Sequence, residues 1–464
     1  MINIFQKIVF AACILAAPFC QAQTDEDVEK VAQIFEASLT KSNAYEWLRY
    51  LCKNIGHRLG GSPAYTAAAN YTAQMLDSLG ADTVWLQPVK VPYWNRGQVA
   101  KVRIVNSQTI GNQDLSCIAL GFSGATSRLG LTAEVVMVKS LDELEKLGNK
   151  AKGKIIFFNR PMDASRSNTF YAYGGAVDQR SSGPRKAAEL GAVACIVRSM
   201  TLKQDDIPHS GMTVFNEVKP IPALALGYQS ADLLADLLVQ EPNLRLNVQT
   251  DCSETKAQTA YNVIADIRGT ERPNEIIVVG GHLDSWDIGE GAHDDGAGCV
   301  QAMDVLHLFK RLGIRPRHTI RCVLFANEEN GMYGANYYAA YAKNNKKETH
   351  YAALESDAGG HSPRGFSMDA LPDAQKTAFA KVQKWREILV PYGIYDLQTG
   401  SSAADVGKLR DLGTILFGLK PDSQRYFDYH HAQTDIFENV NKRELELGSG
   451  AMTALVYLID KYGF

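Results

Sequence analysis

Cysteine is scarce and carries no pattern. Eight occur in 464 residues and none form a CxxC pair, which removes both a thiolate zinc cage and a thioredoxin-like redox pair. Three of them, Cys195, Cys299 and Cys322, sit in apolar runs ("AVACIVR", "GAGCVQAM", "TIRCVLFA") and read as small buried hydrophobes. An excess of basic charge is also missing. Lys and Arg number 48 against 51 Asp and Glu, a formal charge of −3, and no Lys/Arg-rich run compensates locally, so no nucleic-acid partner is expected. Beyond the first residues the chain lacks the roughly 18 uninterrupted apolar residues of a membrane span.

The opening "MINIFQKIVFAACILAAPFCQAQ" has one cation at Lys7, an apolar stretch of about a dozen residues and small residues around Ala22. It reads as a secretory signal, residues 1–22, cut after Ala22. A buried N-terminal helix is the weaker reading, because "QTDEDVEK" turns abruptly polar. A lipid anchor at Cys20 is weaker too, with Pro18 and Phe19 as poor neighbours. The protein is therefore expected to be exported, to a periplasm or the extracellular space.

A chain of 464 residues exceeds one ordinary core, so at least two domains are expected. Residues 24–80 have helical periodicity, with Ser62 and Pro63 as cap and first position of one helix and Gly80 as its stop. Strand-like runs follow in "TVWLQPVKVPYW" and "AKVRIVNS". From 115 to 250, short apolar runs ("AEVVMV", "GKIIFFNR", "GAVACIVR", "IPALALG") alternate with loops and two helix-like segments. No cluster of His, Asp and Glu gathers there, so this block is expected to cover or bind rather than to catalyse. After "YNVIADIRG" the order strand, loop, helix repeats to the end of the chain, which argues for an α/β sheet with helices on both faces.

Four polar clusters fall at successive strand ends in that last part: "GGHLDSWDIGEGAHDDGAG", "NEENG", "ESDAGG" and "YHHAQTD". Ligands bind at the carboxyl ends of strands in such sheets. Each cluster alone suits a turn or a helix start; four in succession point to one site. Imidazole and carboxylate donors without thiolate suit zinc ahead of manganese or cobalt. His282, Asp294, Glu329, Asp357 and His431 would supply two imidazoles and three carboxylates, enough for two cations. Two metals about 3.5 to 4 Å apart polarise a carbonyl and activate water, which is hydrolytic chemistry. Because Glu328 and Glu329 are consecutive, one carboxylate can take metal while the other remains free for proton transfer.

The ordered motifs "GGHLDSW", "GAHDDGAG", "FANEENGMYGA", "ESDAGG" and "YHHAQTD" resemble the co-catalytic zinc aminopeptidase family, which includes glutamate carboxypeptidases. The likeness covers nearly the whole mature chain and is nearest to a glutamate carboxypeptidase branch carrying an inserted domain. The resemblance implies an α/β fold class: a three-layer zinc-peptidase fold with a central mostly parallel sheet, plus an inserted protease-associated domain. Residues 23–114 and 251–464 would form the catalytic domain and 115–250 the insert.

Two Zn2+ ions are implied as cofactors. His282, Asp294 and Asp357 would hold one, and Asp294, Glu329 and His431 the other, with Asp294 as the bridge. Glu328 would be the general base, and Asp284 would orient His282 through its second ring nitrogen. Asp295 follows the bridge where the family often strains the backbone. The family's ligand histidine lies four residues before an acid, here Asp435, which selects His431. His430 then stands where some relatives carry an oxyanion-steadying tyrosine, and it is read either in that role or as packing.

His293 is read as a neighbour of the ligands or solvated, His307 as a helix-face residue and His361 as a loop residue. His57, His209, His318 and His350 have no ligand-like neighbours. The loop "TGSSAADVG" departs from the Ser-Asp-His sequence of many simple aminopeptidases, which leaves the substrate-binding residues unassigned. Gly400, Ser401 and Ser402 are read there either as donors to a peptide carboxylate or as plain loop.

The resulting expectation is a metallo-exopeptidase acting on dipeptides or short peptides with free termini. The alternatives are a same-fold glutaminyl cyclase or deacylase and a non-catalytic peptide-binding receptor. Fold relatives suggest a homodimer, for which the sequence marks no interface.

Overall fold

Two eight-stranded sheets organise the chain. The computed structural model describes residues 25–402 and 404–464, so the expected signal segment 1–22 lies outside the described residues. Across the first sheet the order is Thr83–Asn95, Ser253–Ile267, His318–Phe325, Arg272–His282, Thr349–Glu355, Ile415–Pro421, Pro363–Asp369 and Asp396–Thr399. The four strands from His318–Phe325 to Ile415–Pro421 are parallel. On either side of them the sheet turns antiparallel, through Ser253–Ile267 and Pro363–Asp369.

The parallel strands are apolar without alternation because both faces are covered. His318–Phe325 is buried at every position. Along Arg272–His282, Ile277 and Val279 pack in one core with Val300 and Met303 of helix Ala297–Arg311 and Leu455 of helix Lys442–Tyr462, while Ile276 and Val278 pack on the other face with Tyr338 of helix Tyr333–Asn344. Helix, sheet and helix layers result, which is the expected α/β architecture.

The second sheet runs Gly111–Leu115, Ala100–Ser107, Arg245–Thr250, Leu131–Val138, Ile155–Phe158, Ala194–Arg198, Ala223–Leu226 and Cys117–Ala119. It too has a core on each face: Ile156 and Phe158 belong to one, Ile155 and Phe157 to the other. Tyr426 and Phe427, which follow the first sheet's strand Ile415–Pro421, are buried in one of these cores. The two sheets thus share packed surface beside the segment that carries His430 and His431.

All six cysteines among the described residues are free thiols. No helix among the described residues is long and apolar enough to cross a membrane.

Helix Pro63–Ser78 begins as its sequence indicates. The Ser62 hydroxyl accepts from the Tyr65 amide at 3.0 Å and Pro63 takes the first helical turn. Ser62→Ala is expected to lower stability by about 1 kcal/mol, seen as an earlier urea midpoint; an unchanged midpoint would remove the cap from the account.

Candidate metal centre

The parallel strands end level with one another. His282 pairs with Phe325, Gly280 with Glu355, and Glu355 with Gly418, so their carboxyl ends form one edge. His282 closes its own strand, and Asp294, Glu329, Asp357 and His431 lie on the segments that leave this edge. Two glycines make the first loop possible. A Cβ on Gly281 would stand 2.5 Å from Asp295 Oδ2, and Gly291 has φ 58° with Ser285 against its missing side chain.

The structure brings all five residues together around Asp294. Its Oδ1 lies 3.3 Å from His282 Nε2, and its Oδ2 lies 3.3 Å from His431 Nε2. On the first side, Asp357 Oδ1 is 3.4 Å from His282 Nε2. On the second, Glu329 Oε2 is 3.1 Å from His431 Nε2. Donor atoms of His282, Asp294 and Asp357 lie within 4.8 Å of one another, and so do those of Asp294, His430 and His431. His430 is therefore also near, but its Nε2 stands farther from Asp294 Oδ2, at 3.8 Å. The void at this side, about 10 Å³, is bounded by Asp294, Glu329 and His431 and not by His430; it has room for one atom-sized guest.

These residues fit divalent metal. Asp294 Oδ2 and Glu329 Oε1 are buried without a hydrogen-bond donor, a costly state for carboxylate oxygens unless a cation meets them. The titration behaviour has the same origin. Burial opposes charge on His282, yet Asp357 and Asp294 outweigh it and raise its pKa well above the ordinary value. Burial likewise opposes charge on His431, and Glu329 with Asp294 brings it up to about 9.

Glu328 belongs to neither donor group. It keeps an edge open to solvent while Glu329 is buried. Its pKa is raised well above the ordinary carboxyl range, first by desolvation, with Asp357 and Glu329 adding and His282 opposing. Asp284 acts differently from the expected arrangement. His282 Nδ1 is 3.1 Å from the backbone carbonyl of Asp284, while the carboxylate Oδ1 is 3.8 Å away. The carboxylate instead accepts the amides of Glu328 and Glu329, at 3.0 and 3.2 Å. One residue thus orients the imidazole with its main chain and the paired glutamates with its side chain.

Asp295 follows Asp294 through a cis peptide bond, and its carboxylate accepts the amides of His282 and Gly298 at 3.1 and 3.0 Å. His293 is buried beneath the site, stacked on His361 at 4.4 Å. His307 Nε2 meets the Lys41 carbonyl at 2.9 Å, away from the centre.

Two residues support the loops in ways that sequence reading does not assign. Arg58, fully buried, donates to the carbonyls of Leu283, Glu290 and Gly291 at 2.6 to 2.8 Å and thereby ties down the loop between His282 and Asp294. Asp435 accepts the amides of His293 and Asp294 at 2.7 and 3.1 Å. The sequence marked Asp435 only as a spacing reference for His431.

Beside Asp357 opens a cavity of about 770 Å³, within the size range of small-molecule sites. Asn168 and Tyr171 from the second sheet's part of the chain line one wall; Tyr395, Gly400, Ser401 and Ser402 line another. Four of its charged side chains pair with one another, Arg364 with Asp422 at 3.1 Å and Lys420 with Asp396 at 2.6 Å, and Asp357 adds one further acid.

A model of peptidase family M28 matches residues 262–456, the part that carries every residue of the centre. Carboxypeptidase Q of Xenopus laevis is 31% identical over 420 residues, covering 90% of this chain and 86% of that protein; the Homo sapiens carboxypeptidase Q is 29% identical with 90% and 85% coverage. Among solved structures, a peptidase M28 precursor from Shewanella amazonensis SB2B superposes with a TM-score of 0.87 at 32% identity, over 94% of this chain and 97% of that one. A zinc aminopeptidase from Bacillus subtilis shares the fold at a TM-score of 0.64 and 19% identity, over 90% and 95% of the two chains. With the ligand-rich strand ends in place and relatives matching along nearly its full length, the chain belongs to peptidase family M28 and is a metallopeptidase.

Proposed function

We propose that the protein is an exported di-zinc exopeptidase that hydrolyses dipeptides or short peptides with free termini. The observation that carries this reading is the Asp294 carboxylate, which turns one oxygen to His282 and the other to His431, each at 3.3 Å. A carboxylate shared in this way suits two cations, one with His282 and Asp357 and one with Glu329 and His431. Bound there, zinc supplies the Lewis acidity that polarises a scissile carbonyl and makes water acidic enough to react near neutral pH.

The chain's own groups supply the rest. Glu328, open at one edge and outside both donor groups, takes the proton of the attacking water and returns it to the departing amine. Asp284 holds the amides of Glu328 and Glu329 and so fixes the direction in which the two carboxylates diverge. His430, stacked on His431 at 3.6 Å between ring centroids, is the candidate donor to the carbonyl oxygen as it gains charge. The cavity beside Asp357 receives the substrate. Residues 1–22 are assigned as the secretion signal, and 115–250 as a protease-associated insert between 23–114 and 251–464, its sheet extended by the strands Ala100–Ser107 and Gly111–Leu115 that precede the expected boundary.

Glu328→Gln is expected to lower kcat by about 10²- to 10⁴-fold while metal content stays at the wild-type level; near-normal turnover by the loaded variant would remove Glu328 as the base. Amino-acid release from unblocked dipeptides is expected to stop on chelation and return with zinc. N-acetylated and C-amidated versions of the same panel name the terminus recognised, by whichever block abolishes cleavage. Failure to cleave any of them, in protein shown to hold two ions, would favour the deacylase or cyclase reaction instead.

A further inference from the structure

His431 adopts φ 58°, a left-handed conformation that a residue with a Cβ holds only where its surroundings impose it. The turn has bonds of its own, from the His430 amide to the Tyr426 carbonyl and from the Ala432 amide to the Tyr429 carbonyl, both 2.9 Å, and two further groups come from the insert. The Ser210 amide donates to the His431 carbonyl at 2.8 Å, and His209 Nδ1 stands 2.7 Å from the His430 carbonyl. His209 also pairs with Ala432 as an antiparallel bridge. A carbonyl oxygen has no proton to give and can only accept. The nitrogen facing a carbonyl must then carry the proton.

Behind this segment stands Arg180, also buried. It donates to the Ser210 carbonyl at 3.1 Å and to the Tyr173 hydroxyl at 2.7 Å, with Nη1 3.3 Å from His431 Nδ1. A Cβ on Gly211 would overlap this guanidinium. The Tyr173 ring stacks on Phe427 at 4.7 Å and meets His430 edge-on at 5.2 Å. An imidazole that gives its Nε2 lone pair to a cation carries its proton on Nδ1 and cannot accept from Arg180. The contact to the ring therefore depends on the tautomer, whereas the two bonds to the carbonyls do not.

We propose that His209 is a positioning residue of the metal centre. Its bond to the His430 carbonyl, together with the Ser210 bond to His431, holds the turn in which His431 Nε2 faces Asp294 and Glu329. The insert, which supplies no ligand, thereby sets the affinity of one of the two metal subsites. This inference rests on the two-ion reading above, and it makes the insert a structural part of the centre rather than a cover over it.

Zinc affinity measured by competition with a chromophoric chelator tests this without reference to turnover. The wild-type protein gives two binding events, of which Glu329→Gln weakens one and Asp357→Asn the other. His209→Leu is expected to weaken the Glu329-dependent event by about 10- to 100-fold and to leave the other unchanged, which also reports that the chain is folded. His209→Asn, whose side-chain amide can donate to the same carbonyl, restores most of the loss. Unchanged affinity in His209→Leu overturns the inference. So does equal weakening of both events without rescue by His209→Asn, the signature of a general packing defect. A single event in the wild-type protein refutes the two-ion reading itself and removes the subsite on which the inference stands.

Discussion

Everything at the carboxyl edge of the first sheet depends on one electrostatic constraint. Asp294, Glu329 and Asp357 converge on two imidazoles in surroundings largely closed to water, and like charges so placed repel unless positive charge lies between them. Asp294 is where the constraint is sharpest, because both of its oxygens face a histidine and one of them has no hydrogen-bond donor. A fold that gains no stability from such a cluster by itself keeps it for chemistry, and hydrolysis by a family M28 peptidase is chemistry that needs it.

Holding the cluster open requires groups that neither bind metal nor react. Arg58 spends its guanidinium on three carbonyls of the loop between His282 and Asp294, Asp435 grips the amides on the near side of Asp294, and Asp284 grips those of Glu328 and Glu329. Each charged group is satisfied by main chain, so its bonds fix backbone rather than side-chain rotamers. That suits a site whose geometry must survive loading and turnover. The His430–His431 turn differs, since beside its own local bonds it has partners in His209 and Ser210, from the part of the chain that forms the second sheet.

Much of the fold could be read in the sequence because its causes are local. The Ser62-Pro63 cap, the unbroken apolar strands and the helix after the Gly-rich loop each follow from a few adjacent residues, and the five clustered residues around Asp294 could be found because four motifs stand at strand ends. What escaped was set by distant partners. Arg58 sits in "KNIGHRLGG", where a long cation reads as surface, and becomes buried only because carbonyls some 225 to 233 residues away meet it. His209, in "DDIPHSGM", has no ligand-like neighbour in sequence and finds its role 221 residues away. The strand Pro363–Asp369 lies in a stretch that reads as loop, since its pairing with Ile415–Pro421 on one side and Asp396–Thr399 on the other makes it a strand. Helix Lys442–Tyr462 is buried over most of its length, because helices Asp25–Lys41 and Ala297–Arg311, distant in sequence, pack against it.

The central claim is that one carboxylate, Asp294, is shared by two metal ions. Anomalous scattering at the zinc edge from crystals of the zinc-loaded protein tests it most directly. The account predicts two peaks on opposite sides of Asp294, about 3.5 to 4 Å apart, one beside His282 and Asp357 and the other beside Glu329 and His431. A single peak, or a second one held by His430 in place of His431, would contradict it.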